Sequence, residues 1–143
     1  MTRHARETIS LAVATALGES ALQALVITDW SNVGSHALLF AFLIGPPLFL
    51  AMLVWRRREH ASRSRLLFIV AVAIAVGGLG ALGFNLYRFS TDPNFRKTPN
   101  MYGVIVPLVQ WGIILSIWLW LVVQEGREKR AAGKSAQPVE VPK

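Results

Sequence analysis

One acidic residue, Glu19, is the strongest chemical signal in the sequence, because it lies near the middle of the apolar run Thr8–Ile27. A carboxylate at that depth of a bilayer needs a proton, a partner or water, so it is a candidate functional group. Two interpretations stay open: Glu19 titrates a proton or binds a cation, or it holds helices together through hydrogen bonds. Its helical face repeats small and polar residues at steps of three and four, which predicts packing against other helices. That face consists of Thr8, Ala12, Thr15, Glu19 and Gln23.

Other polar residues fall in apolar runs at a similar depth. With Glu19 and Gln23 they are predicted to form an intramembrane polar cluster that opens towards one side of the bilayer. The further members are Asn85, Arg88 and Gln110. In this prediction Arg88 shares charge with Glu19 through Gln23 or water, because a buried ion pair needs extra hydrogen bonds to offset its desolvation. His36 begins the second apolar run, where it is a possible ligand of a metal, haem or chlorophyll, a proton acceptor, or a residue that faces water.

The sequence contains no recognisable catalytic or metal-binding motif. It has no cysteine, which excludes disulfide exchange, thiolate metal sites and cysteine nucleophiles. The three histidines are scattered and do not predict a metal site. The run Gly77-Gly78-Leu79-Gly80 lies inside an apolar segment, which favours helix packing over a nucleotide-binding loop. We therefore predict no catalytic residues, we name no cofactor, and a protein that is not an enzyme is favoured.

Four apolar runs are long enough to cross about 30 Å of hydrocarbon as helices. They are Thr8–Ile27, Ser35–Trp55, Leu66–Tyr87 and Gly103–Val123. With 53% hydrophobic and 16% charged residues, the composition predicts an all-α integral membrane protein with four transmembrane helices. Residues 1–126 would form the transmembrane domain. Residues 127–143 would form a basic tail that begins as a short helical extension and then becomes disordered.

The basic residues predict the orientation. Of the fifteen lysines and arginines, twelve fall on the side of the two termini and three on the other side. Because positive charge collects in the cytoplasm, both termini are predicted to be cytoplasmic in the cell's inner (plasma) membrane. The net charge of +7 is thereby attributed to the orientation of the chain in the membrane and not to nucleic-acid binding. Arg96 and Lys97 lie on the opposite side, where either contact with an acidic partner or lipid phosphates, or an ordinary solvated loop, would account for them.

Two further sets of residues are predicted to shape helices. Pro46 and Pro47 near the middle of the second run are expected to kink it, because proline removes a backbone donor and clashes with the preceding turn. Small residues in the third run are expected to let helices approach closely. This helix-packing set is Ala73, Gly77, Gly78 and Ala81.

Three functions remain open from the sequence. The leading one is a non-enzymatic accessory or assembly subunit of a larger membrane complex, whose partners are the lipid bilayer and other membrane subunits or further copies of itself. The alternative is a small oligomeric transporter or channel coupled to ions or protons through Glu19. The third is a redox or pigment-binding membrane subunit with His36 as a ligand.

Overall fold

The computed structural model of the chain is a bundle of four long helices, and it describes residues 2–28, 31–57, 61–97 and 101–135. The elements are α1 Arg3–Val26, α2 Val33–Arg56, α3 Ala61–Thr91, a short 3₁₀ turn Phe95–Lys97, and α4 Tyr102–Ser135. All four helices are long and apolar enough to cross a membrane, which confirms the predicted all-helical class with four candidate spans. Membrane insertion and the side on which the termini lie stay predictions. The helical extension of α4 reaches Ser135, and residues 136–143 of the predicted tail lie outside the described residues.

Polar side chains begin two of the helices. The Thr2 hydroxyl accepts a hydrogen bond from the Ala5 backbone N–H at 3.2 Å, and Asn32 Oδ1 accepts one from the Ser35 N–H at 3.1 Å. Such N-caps satisfy backbone donors that the first helical turn leaves free. The caps therefore fix where α1 and α2 start, a few residues before the apolar runs begin.

The end of α3 is capped by Arg96, which reaches back from the 3₁₀ turn. Its Nε donates to the Phe89 carbonyl at 2.6 Å and its Nη2 to the Ser90 carbonyl at 2.9 Å. Asp92 Oδ1 accepts the backbone N–H of Asn94 at 3.0 Å and so tightens the turn between them. Arg96 thus has partners within its own chain for its positive charge. The side chain of Lys97 lies outside the described part.

Around the bundle the helices follow the order α1, α2, α4, α3, with α1 packed most extensively and α4 held more loosely. Helices α1 and α3 run in the same direction, since Thr2 and Ser64 share a hydrogen bond of 2.9 Å near their N-termini. Helices α2 and α4 likewise run in the same direction as each other, since Arg57, which follows α2, pairs with Glu125 in the C-terminal part of α4. We call this side of the bundle the Arg57 end, and the opposite side the Arg96 end.

The interior of the bundle differs between its two halves. The half towards the Arg57 end holds a continuous apolar core: Ala5, Leu50, Leu53, Val54, Leu67, Ala71, Ile74, Ile114 and Leu121. The half towards the Arg96 end holds a smaller one made by Leu43, Leu82 and Val106. Glu19 lies between them. Apolar packing therefore fills the Arg57 half, whereas the Arg96 half shares its interior with polar side chains.

An ion-pair network ties three helices together at the Arg57 end. Glu125 Oε1 lies 2.7 Å from Arg57 Nε and 3.3 Å from Arg63 Nη1, and Arg63 Nη2 lies 2.6 Å from Glu128 Oε2. Glu125 follows the predicted span that ends at Val123. The hydrogen bond from Arg57 holds the pKa of the Glu125 carboxyl below its ordinary value.

Helix α2 continues through both of its prolines, whose rings are buried. Next to them, Gly45 lies against the Trp111 indole of α4, where a Cβ would come within 2.9 Å of Cζ2. The missing side chain at Gly45 therefore allows α2 and α4 to approach closely. The kink at Pro46 and Pro47 stays a prediction.

The four small residues predicted to pack on α3 fall on different faces of that helix. Gly78 is buried, and Ala81 is half-buried against the smaller apolar core. Ala73 and Gly77 are exposed, and a Cβ built on Gly77 meets no side chain of the described residues within 4 Å. The side of α3 that faces the bundle is therefore the one that carries Gly78.

Candidate functional site

The centre of the candidate site is the hydrogen bond between Glu19 on α1 and Gln110 on α4. Gln110 Nε2 donates to Glu19 Oε1 at 2.5 Å. The Glu19 side chain is fully buried, with 0% exposure, and Gln110 is 3% exposed. Because α1 and α4 occupy opposite corners of the bundle, this bond spans its middle. The sequence predicted both residues for the polar cluster but could not pair them.

Room for this pair comes from Gly78 on α3. A Cβ at Gly78 would overlap both Glu19 Oε1 and Gln110 Nε2. In a close-packed interior even one methyl group at this position would force neighbouring side chains to move. Sequence reasoning interpreted Gly78 as a helix-packing residue and missed this role. The available signal was the position of Gly78 two turns before Asn85 on one helical face.

A second polar layer lies one turn nearer the Arg96 end. Gln23 is 2% exposed and Asn85 is 0% exposed. The amide of Gln23 lies against Gly103 of α4, where a Cβ would be only 2.8 Å from Nε2. Two glycines, Gly78 and Gly103, thus leave space for the polar side chains of α1.

Several buried polar atoms of the two layers accept or donate no hydrogen bond within the described part of the chain. They are Glu19 Oε2, Gln23 Oε1, Gln110 Oε1, and both Oδ1 and Nδ2 of Asn85. Each buried polar group left without a partner costs about 1–3 kcal/mol, so such groups are rare unless water, a proton or a ligand satisfies them. Oxygen acceptors outnumber donors in this set. The arrangement therefore favours a species that donates hydrogen bonds.

A pocket of about 320 Å³ lies at the Arg96 end and reaches this second layer. Its polar lining consists of Gln23, Thr28, His36, Asn85 and Arg96. At roughly 30 Å³ per molecule the volume corresponds to on the order of ten waters. We call it the end pocket. It brings together Gln23 and Asn85, two members of the predicted polar cluster, and His36, which the sequence named apart from that cluster.

Arg88 is the predicted cluster member that the structure does not bring to the others. Its side chain is 44% exposed and pairs with Asp92 one turn later, at 3.1 Å between Nη2 and Oδ2. Its guanidinium also lies over the Phe95 ring, 5.4 Å from the centroid. Arg96, which sequence reasoning did not place in the cluster, lines the end pocket instead. The turn at Asp92 brings Arg96 there, and that signal could have been read from the Asp-Pro-Asn sequence after α3.

His36 is half-buried at the end pocket. Its role as a ligand stays a prediction. Across the ranges that the structure describes, no group of three or more His, Cys, Asp or Glu residues is placed to hold a metal ion.

In comparisons with known proteins, no family model, no curated protein and no solved structure matches the chain.

Proposed function

We propose that this chain is a multi-pass protein of the plasma membrane, with both termini in the cytoplasm, and that it acts as a non-enzymatic accessory or assembly subunit of a larger membrane complex. The twelve-to-three distribution of lysine and arginine supports this orientation. Under it, the Arg57 end faces the cytoplasm and the Arg96 end faces outside. The observation that carries the subunit proposal is an unfilled groove between α3 and α4.

This α3–α4 groove has a volume of about 240 Å³ and an almost entirely apolar lining. Ala73 and Gly77 line it from α3, and Ile105, Val109 and Ile113 line it from α4. Small residues at helix surfaces promote association in lipid because they let backbones approach closely. Ala73 and Gly77 are not used for that purpose by the described part of the chain. A transmembrane helix of another subunit would use them.

Gln110 gives the α3–α4 groove a polar contact. It lines the groove as well as holding Glu19, and its Oε1 has no hydrogen-bond partner among the described residues. In a bilayer, hydrogen bonds between helices contribute to association together with close packing. A partner helix that carries a hydroxyl or amide at this depth would match the groove in both respects.

The direct test is recovery of the native complex after Gly77→Leu. The full chain is purified from its own membranes in mild detergent and examined on native gels with mass spectrometry of the bands. We expect stoichiometric foreign subunits with the wild type and their loss with Gly77→Leu. Gly112→Leu is the matched control, because Gly112 is equally open but lies on α4 outside the groove.

An unchanged complex with Gly77→Leu would contradict docking through the α3–α4 groove, which is the observation behind the subunit proposal. Recovery of the wild-type chain only as copies of itself would contradict the subunit proposal itself and would favour the second candidate function, an oligomeric transporter coupled to protons or ions.

The buried carboxyl of Glu19, with Oε2 unpartnered among the described residues, is the observation that favours this second candidate. It is tested by Glu19→Gln, which keeps shape and hydrogen bonding, against Glu19→Leu, which removes both. Loss of a proton-dependent flux with Glu19→Gln alone would support transport. Wild-type behaviour with Gln and loss of assembly with Leu would leave the residue a structural role.

A further inference from the structure

Docking through the α3–α4 groove does not explain the protonation state of the buried Glu19 carboxyl. One oxygen accepts from Gln110, while Oε2 is buried without a hydrogen-bond partner among the described residues. An ionised carboxylate with an unsatisfied oxygen is strongly disfavoured in an apolar interior. The group is therefore stable there only if Oε2 carries a proton or accepts a hydrogen bond from water.

The polar surroundings of Glu19 lie on one side only. Towards the Arg96 end, Gln23 and Asn85 continue from it to the end pocket with unpartnered amide oxygens. Towards the Arg57 end, the Thr15 hydroxyl already donates to the Leu11 carbonyl at 2.8 Å. Between Thr15 and the Arg57 end, the larger apolar core fills the interior. Water at the end pocket is thus the nearest polar medium that the fold offers to Glu19.

The residues packed against Glu19 are uncharged. Gly78 on α3 and Gln110 on α4 lie at its own level, and Thr15 and Gln23 lie one turn away on α1. The buried residues of α2 are uncharged as well. The ionisable residues nearer the pocket are His36 on α2 and Arg96 on the 3₁₀ turn. The guanidinium of Arg96 is held by the carbonyls of Phe89 and Ser90. Glu19 therefore has no salt-bridge partner within the described chain, and water is the partner with which it can exchange a proton.

We propose that Glu19 is a proton-binding site that exchanges its proton with water from the Arg96 end alone, through the end pocket and the layer formed by Gln23 and Asn85. On release, the Oε2–H bond breaks and the proton passes to a water molecule, which becomes hydronium, while the carboxylate keeps its hydrogen bond from Gln110. Protonation reverses these steps. Hydronium and water donate hydrogen bonds, which complements the unpartnered oxygens of Gln23 and Asn85. The inference goes beyond the proposed subunit function and does not depend on it.

Infrared spectroscopy of the full chain in dodecyl maltoside, a detergent without a carbonyl group, tests the proposal. The C=O band of a protonated carboxyl that is present in the wild type and absent in Glu19→Gln belongs to Glu19. After dilution into D₂O, its shift measures proton exchange. We expect Gln23→Leu and Asn85→Leu to slow this exchange by about tenfold or more, equivalent to about 1.4 kcal/mol in activation free energy.

Thr15→Val is the matched control, because it removes a polar group on the same face of α1 on the opposite side of Glu19. It should leave the exchange rate unchanged. Thr28→Trp provides a second variant that does not disturb the interior. Thr28 is exposed at the end pocket, so a bulky ring there should also slow exchange.

Three outcomes would overturn the proposal. The first is a carboxyl band that Glu19→Gln does not remove at any pH. The second is slowing by Thr15→Val as large as that by Gln23→Leu and Thr28→Trp. The third is loss of the band when sodium replaces choline at constant pH and ionic strength, which would identify an alkali-cation site in place of a proton site.

Discussion

The two halves of the bundle differ in the kind of side chain that they bury. Towards the Arg57 end the interior is apolar, and the charged residues Arg57, Arg63 and Glu125 pair with one another at its edge. Towards the Arg96 end, polar side chains enter the interior, and several of their atoms are left without partners among the described residues. Unpaired buried polar groups lower the stability of the fold, so stability does not account for their presence. The comparison indicates that the Arg57 half holds the bundle together and that the Arg96 half is available for function.

The largest expected effect is in the apolar half. Leu67→Ala or Leu121→Ala should lower the free energy of unfolding by about 2–5 kcal/mol, because each side chain is fully buried and its removal leaves a cavity. Leu119→Ala is the control, since Leu119 lies two residues from Leu121 on α4 but is 58% exposed, and it should cost less than about 0.5 kcal/mol. Thermal unfolding in detergent measures both. Equal costs for Leu119 and Leu121 would mean that this half does not carry the stability.

The second prediction compares two adjacent glycines of α3. Gly78→Ala should destabilise the protein by about 1–3 kcal/mol, because the new Cβ would overlap Glu19 and Gln110. Gly77→Ala should be neutral or stabilising by up to about 1 kcal/mol, because its surroundings are open and alanine favours helix. The measurement is again thermal unfolding. A tolerated Gly78→Ala would contradict the position of the polar pair.

The hydrogen bond between Glu19 and Gln110 gives the third prediction. Gln110→Leu alone should cost about 1–3 kcal/mol, because it leaves a buried carboxyl with no partner on either oxygen. Adding Glu19→Leu should recover most of that loss, since replacing both polar partners with apolar groups is often neutral. A double variant less stable than Gln110→Leu would show that the pair stabilises the fold and would weaken the functional interpretation of this half.

The smallest expected effect is in the ion-pair network. Arg57→Gln should cost no more than about 1 kcal/mol and less at high salt, because Glu125 is about one-third exposed. The pKa of Glu125 is held low by Arg57, so its contribution is present above its unfolded pKa of about 4.3 and is lost as the pH falls through the lower folded value. Thermal unfolding should therefore converge for wild type and Arg57→Gln in acid. Divergence on acidification would contradict this assignment.

The sequence predicted the four helices and the buried face of α1 because both depend on local patterns. Hydrophobic length sets the spans, and steps of three and four residues place Thr8, Thr15, Glu19 and Gln23 on one face, all buried in the structure. Pattern alone could not decide how α3 is rotated, because both of its candidate faces are rich in small residues. Gly77 and Gly78 are adjacent, yet a Cβ on Gly77 would meet open space, whereas one on Gly78 would overlap the polar pair.

Tertiary geometry also decided which arginine meets the end pocket. Arg88 lies closer in sequence to the polar residues of α3, but its helical position allows a local pair with Asp92. Arg96 arrives only because the chain reverses at the turn that Asp92 stabilises. The partnership between Glu19 and Gln110 depends in the same way on the order of the helices around the bundle, which periodicity within single helices does not contain.

The central claim, that water reaches the Glu19 layer from one end only, is tested most directly by cysteine reactivity. The chain has no cysteine, so single substitutions report without background. A charged, membrane-impermeant methanethiosulfonate reagent is applied separately to intact cells and to inverted membrane vesicles. We predict that Gln23→Cys and Asn85→Cys react from outside the cells, and that Thr15→Cys reacts from neither side. Reaction of Thr15→Cys in inverted vesicles, with no reaction of Gln23→Cys from outside, would contradict the account.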